Sequence, residues 1–118
     1  MYSPQLLDHF EHPRNSGELP GATARVRIEN PACGDVLELA ATFVDGRIEE
    51  LRFRAKGCVP AMACASAITE VARGKSLDEA ATIQRDDVTR AVGGLPPASG
   101  HAAQLAVDAL RAVIGAAK

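Results

Sequence analysis

The chain has 118 residues, of which 47% are hydrophobic and only 3% aromatic, and its formal net charge is −2. Its mixed charges form no basic stripe for nucleic acid and no polybasic patch for a lipid surface, and no apolar run approaches a membrane span. We therefore expect a single domain over residues 1–118, with a core of Leu, Val, Ile and Ala.

A first helix is predicted at the N-terminus. Ser3 is a favoured N-cap residue and Pro4 fits the first helical turn. The helix is expected to stop near His12. His9 and His12 lie around its end, and we expect both at the surface without a functional role.

Three stretches of alternating polar and apolar residues predict an antiparallel sheet. The first covers residues 25–30, the second 37–43 and the third 51–55. Asp45-Gly46 is a strong signal for a tight hairpin turn between the last two strands. Ile48 has the wrong parity for the apolar face, so a β-bulge is expected near Glu49-Glu50.

Helical patterns follow the strands. Pro60 fits the first turn of a helix that continues through Ala72, and Ser76 opens a capping-box pattern for a short helix. A further helix is predicted near residues 85–92, and Ser99 is expected to cap the last one. Strands followed by helices indicate an α+β fold: about three antiparallel strands with the helices on one face.

Polar or sulfur-containing side chains occur where loops meet these elements. Cys33 and Asp35 lie in the turn before the second strand, Cys58 follows the third strand, and His101 opens the last helix. Because the second and third strands are antiparallel, the start of one and the end of the other share one end of the sheet. We therefore expect Cys33, Asp35 and Cys58 to lie close together.

Two thiolates, a carboxylate and an imidazole could hold zinc or ligate an iron–sulfur cluster. Free N–H groups at the start of the helix after Cys58 favour a thiolate there, which sulfur transfer also needs. Simpler roles are also consistent with these positions. A cysteine is commonly a small buried residue, Asp35 fits a turn, and His101 fits a helix start.

Cys64 follows Cys58 by six residues, which is not the spacing of a CxxC motif. In a helix that starts near Pro60, Cys64 shares a stripe with Ala61 and Ile68 that faces the sheet. We expect Cys64 to be buried. The N-terminus lacks a signal-peptide layout, so we expect a cytoplasmic protein with reduced thiols.

Four segments closely resemble the IscU/NifU-like scaffold proteins of iron–sulfur cluster assembly. They read DHFEHPRNSGEL, NPACGDVLEL, FRAKGCVPAMACASAITEVARGKSLDEA and LPPASGHAAQLAVDAL. The resemblance extends over residues 2–113 and includes a Cys-Gly-Asp turn, a Gly-Cys pair before a helix and a Leu-Pro-Pro before the last helix.

The resemblance implies a non-enzymatic scaffold or carrier with a metal site at one end of its sheet. Cys33, Asp35, Cys58 and His101 fall on family ligand positions for a transient 2Fe-2S cluster or its iron, and zinc could occupy the same site. A cysteine desulfurase would supply sulfur, with Cys58 as the persulfide acceptor, and apo-proteins would accept the cluster. A monomer or a weak homo-oligomer is expected.

Departures from the family pattern raise further hypotheses. The family reads His-Cys where this chain has His101-Ala102, so one thiol is missing. Cys64 stands where the family has a small residue, which raises the hypothesis that it replaces the missing ligand. Relatives served by a dedicated Hsp70-type chaperone have Leu-Pro-Pro-Val-Lys. This chain has Ala98-Ser99 at that place, so this partner is not expected.

The missing thiol keeps two alternatives open. The first is a zinc-binding sulfurtransferase or accessory to a cysteine desulfurase, which would carry sulfur without building a cluster. The second is a degenerate family member that retains the fold and has lost the assembly role.

Overall fold

A computed structural model describes residues 2–30 and 34–117. Its elements, in chain order, are α1 (Pro4–Glu11), β1 (Ala24–Asn30), β2 (Asp35–Val44), β3 (Arg47–Lys56), α2 (Val59–Ala72), α3 (Leu77–Ala81), α4 (Arg85–Ala91), a 3₁₀ turn (Pro97–Ser99) and α5 (Gly100–Ala116). None of the helices in the described ranges is long and apolar enough to cross a membrane.

The described residues form one sheet of three antiparallel strands, as predicted, and the strand order is β1-β2-β3. Asp45 and Gly46 form the hairpin turn with φ values of +53° and +74°. Two positive φ angles define a type I′ turn, whose twist matches that of the flanking strands. Both the sheet and its hairpin turn are therefore confirmed.

The predicted β-bulge is also confirmed. Thr42 pairs with Glu50 while Phe43 pairs with Ile48, so Glu49 is the extra residue in β3. Because of this extra residue, the side chains of Ile48 and Leu51 lie on the same face of the sheet. A regular strand would turn them to opposite faces. Both side chains are fully buried.

Helices α2 and α5 cover one face of the sheet and also pack against each other. Helix α2 is buried around most of its circumference, because it contacts α1, α5 and β3. Its many alanines permit this, since small side chains let neighbouring backbones approach closely. The result is the predicted α+β architecture with helices on one face.

Three helix starts were predicted from serine caps. The Ser3 hydroxyl accepts a hydrogen bond from the Leu6 N–H, so the first cap is present. The other two have different outcomes. The Ser76 hydroxyl accepts a hydrogen bond from the Glu79 N–H, and the Glu79 carboxylate accepts one from the Ser76 N–H, so the capping box is present. Ser99 precedes α5, but its side chain makes no capping hydrogen bond. The reason is conformational: Ser99 ends a 3₁₀ turn with ψ near 9°, whereas capping serines adopt an extended backbone.

Candidate metal centre

Asp35 is the first residue of β2, and its carboxylate is buried beneath the start of α2. The residue pairs with Asn30 of β1, and its side chain is only 1% exposed. Oδ1 accepts a hydrogen bond of 3.0 Å from the backbone N–H of Cys58. A buried carboxylate needs such partners, because desolvation of its charge would otherwise be costly.

Cys58 is the N-cap residue of α2, with an extended backbone at φ −71° and ψ 161°. It is half-buried, and its Sγ lies 3.7 Å from Asp35 Oδ2. The thiol therefore stands where the last strand of the hairpin passes into the first turn of the helix. The predicted proximity of Asp35 and Cys58 is confirmed. Cys33, the other thiol expected here, lies outside the described residues.

His101 brings an imidazole to the same point from α5. Its Nε2 lies 3.4 Å from Asp35 Oδ2 and 3.8 Å from Cys58 Sγ, and its side chain is 29% exposed. The oxygen, sulfur and nitrogen donors all lie within 4.8 Å of one another. One carboxylate, one thiol and one imidazole form a donor set that suits zinc or iron. The partial exposure of His101 leaves this group reachable from solvent.

Cys64 lies in the core, outside this group of donors. It is 0% exposed, in agreement with the expectation of a buried helical residue. Burial, with a smaller contribution from nearby Cys58, raises the pKa of the Cys64 thiol to about 12. Ala102, which occupies the position of the missing family cysteine, is also 0% exposed.

The expectation that His9 lies at the surface is wrong. His9 is 6% exposed, and its Nδ1 lies 2.8 Å from the Ser66 hydroxyl of α2. That hydroxyl also accepts the Arg14 N–H at 2.9 Å. His9 is buried because it follows the buried Leu6 by three residues, on the face of α1 that packs against α2. This helical spacing was the signal in the sequence that could have revealed the contact.

Comparison with known proteins shows which family the chain belongs to. A family model described as the NifU-like N terminal domain matches residues 1–117. The chain belongs to this family. This NifU-like chain is 44% identical to the iron-sulfur cluster assembly scaffold protein IscU 1 of Archaeoglobus fulgidus. The match covers 97% of the present chain and 74% of that relative.

A second relative is the iron-sulfur cluster assembly scaffold protein IscU of Escherichia coli. It is 42% identical, over 96% of this NifU-like chain and 91% of the relative. Among solved structures, a nitrogen-fixing NifU-like N-terminal protein from Brucella abortus superposes with a TM-score of 0.81. At 16% identity, the match covers 97% of the present chain and 92% of that structure. At that identity, the superposition shows the shared fold.

Proposed function

We propose that this chain is a scaffold for iron–sulfur cluster assembly that binds its cargo through Asp35, Cys58 and His101. The main observation behind this proposal is the group of oxygen, sulfur and nitrogen donors, which lie within 4.8 Å of one another and come from three separate elements. Relatives at 42% and 44% identity are named as scaffold proteins for this assembly. Cys33 falls on a family ligand position and is proposed as a further ligand.

The donor set suits a cargo that must leave again. Thiolate is a soft ligand that binds iron strongly, whereas the Asp35 carboxylate is a harder ligand and favours exchange. His101 is partly exposed, so an acceptor protein can approach the metal from that side. We propose a 2Fe-2S cluster as the cargo, and zinc as an ion that the same donors would hold.

Cys58 is the proposed acceptor of sulfur. Its thiolate would attack the outer sulfur of a persulfide on a cysteine desulfurase. The S–S bond of the desulfurase then breaks, the desulfurase leaves as a thiolate, and Cys58 carries the new persulfide without net oxidation or reduction. The half-buried position of Cys58 at a helix start leaves its sulfur accessible to this exchange. The desulfurase, the cluster-accepting apo-proteins and a cytoplasmic location remain predictions.

The test is anaerobic reconstitution with ferrous iron, cysteine and a cysteine desulfurase, followed by absorption spectroscopy. We expect sulfur-to-iron charge-transfer bands from the wild type and from Cys64→Ala, and none from Cys58→Ser. Ala102→Cys, which restores the family thiol, should retain its cluster at least as long as the wild type. Absence of bands from both the wild type and Ala102→Cys, or normal bands from Cys58→Ser, would contradict the proposal.

A zinc-holding sulfurtransferase is the second candidate, because the same donor set suits tetrahedral zinc. Metal analysis of the protein as purified separates the two functions. Stoichiometric zinc, together with stimulation of a desulfurase that depends on Cys58 but yields no cluster, would favour the second candidate.

A further inference from the structure

Gly57 lies directly against the buried carboxylate of Asp35. A Cβ atom built on Gly57 would fall 2.1 Å from Asp35 Oδ1 and 2.8 Å from its Cγ. It would also lie 3.1 Å from the Asp35 Cα, so rotation of the aspartate side chain alone would not relieve the contact. The backbone of Gly57 has φ +153°, which side chains rarely adopt.

The carboxylate oxygen that lies next to Gly57 is Asp35 Oδ1. It is not the oxygen that lies near the other two candidate ligands. Asp35 Oδ1 is held by the N–H of Cys58, so it points towards the helix start. Oδ2 is the oxygen near the other donors, 3.4 Å from His101 Nε2 and 3.7 Å from Cys58 Sγ. The carboxylate is therefore oriented with one oxygen towards the helix backbone and one towards the candidate centre.

We propose that Gly57 is a positioning residue that makes Asp35 a one-oxygen ligand. Without a Cβ at position 57, Oδ1 stays on the Cys58 N–H and only Oδ2 faces the metal. A side chain at position 57 would displace the carboxylate, release that hydrogen bond and change the oxygen donor offered to the metal. This inference rests on the proposed metal-binding function. It adds that Gly57 determines how the Asp35 carboxylate is oriented.

A double-mutant cycle with Co²⁺ as the probe tests the inference. The variants are Gly57→Ala, Asp35→Ala and the double variant, and the readouts are the Co²⁺ dissociation constant and the visible ligand-field spectrum. We expect Gly57→Ala to weaken Co²⁺ binding by about tenfold or more, as loss of a supporting contact to a ligand commonly does, and to shift the spectrum. In the Asp35→Ala background, the same substitution should change both readouts little, because the displaced carboxylate is gone.

Gly74→Ala is the matched control for backbone strain. Gly74 also has a positive φ, +86°, but a Cβ there would meet nothing within 4 Å. We expect this variant to lose some thermal stability and to bind Co²⁺ normally.

Different outcomes separate this inference from the proposed function. If the wild type fails to bind Co²⁺, the metal-binding function itself is wrong. If the wild type binds and Gly57→Ala binds equally well, or weakens binding equally with and without Asp35, the positioning role is overturned. Should Gly57→Ala fail to fold, recovery of folding in the double variant supports the clash with Asp35, and failure of both variants overturns it.

Discussion

His9 and Cys64 are titratable side chains that the fold removes from water, and neither belongs to the candidate metal centre. Each is held in its uncharged form by burial, because transfer of a charge into the interior is costly. Burial is the main cause that lowers the pKa of His9, the Arg14 charge adds to it, and nearby Glu70 and Asp8 oppose it. For Cys64 burial raises the pKa to about 12.

We predict that the buried His9 makes the protein less stable in mild acid. The pKa of His9 is lowered by folding, so the unfolded chain takes up the proton first as the pH falls below about 6.5. Stability is therefore full at neutral pH and declines through the mildly acidic range. Urea unfolding as a function of pH measures this, and His9→Gln should flatten the decline more than the exposed His12→Gln does. An identical decline in His9→Gln and the wild type would refute the assignment.

Cys64 is expected to be inert to alkylation in the folded protein. At pH 8, iodoacetamide should label Cys64 only after unfolding in urea, because a thiol with a pKa of about 12 has almost no thiolate. Cys64→Ala should cost about 1 kcal/mol of stability through lost packing, and Cys64→Ser more, since it buries a hydroxyl. Rapid labelling of Cys64 in the native protein would contradict this prediction and would support the hypothesis that Cys64 replaces the missing ligand.

Strand β3 and helix α2 position the candidate metal centre. The position of β3 depends on its bulge, and the start of α2 depends on the residues that join it to β3. The bulge at Glu49 keeps Ile48 and Leu51 on the buried face, and the sheet register then fixes where β3 ends. Directly after β3, Gly57 and Cys58 lead into α2. The bulge and the hairpin turn were predictable, because strand parity and the Asp-Gly pair are local properties of the chain.

Removal of one residue at the bulge should be tolerated. A chain lacking one of the two glutamates at 49–50 would keep Ile48 and Leu51 on the same face through a regular ladder, so we expect its stability within about 1 kcal/mol of the wild type. Deletion of Arg52 would instead break the parity and expose buried side chains, at about 3 kcal/mol or more. Guanidinium unfolding compares the two deletions, and equal losses would show that parity does not control this hairpin.

Across the whole molecule, the centre joins elements that are far apart in sequence. Asp35 belongs to β2, Cys58 to the start of α2 and His101 to α5, so a bound ion would link the sheet to both of its covering helices. An ion that binds only the folded state stabilises it by mass action. Metal binding and folding should therefore be coupled in this protein.

We expect Co²⁺ at about one hundred times its dissociation constant to stabilise the fold by about 2.7 kcal/mol. The measurement is urea unfolding with Co²⁺ and again after addition of EDTA, which should remove the effect. Cys58→Ser should gain much less, whereas Cys64→Ala should gain as much as the wild type. Equal stabilisation of Cys58→Ser would place the ion elsewhere.

The sequence by itself determined the order of helices and strands, the hairpin and the end of the sheet where Asp35 and Cys58 meet. Periodicity and turn chemistry are local, and antiparallel pairing carries the two strand ends to one place. Only the tertiary structure decided how His101 completes the group and that a side chain at position 57 would collide with Asp35. Each of these depends on a contact between elements distant along the chain, and no local pattern encodes that packing.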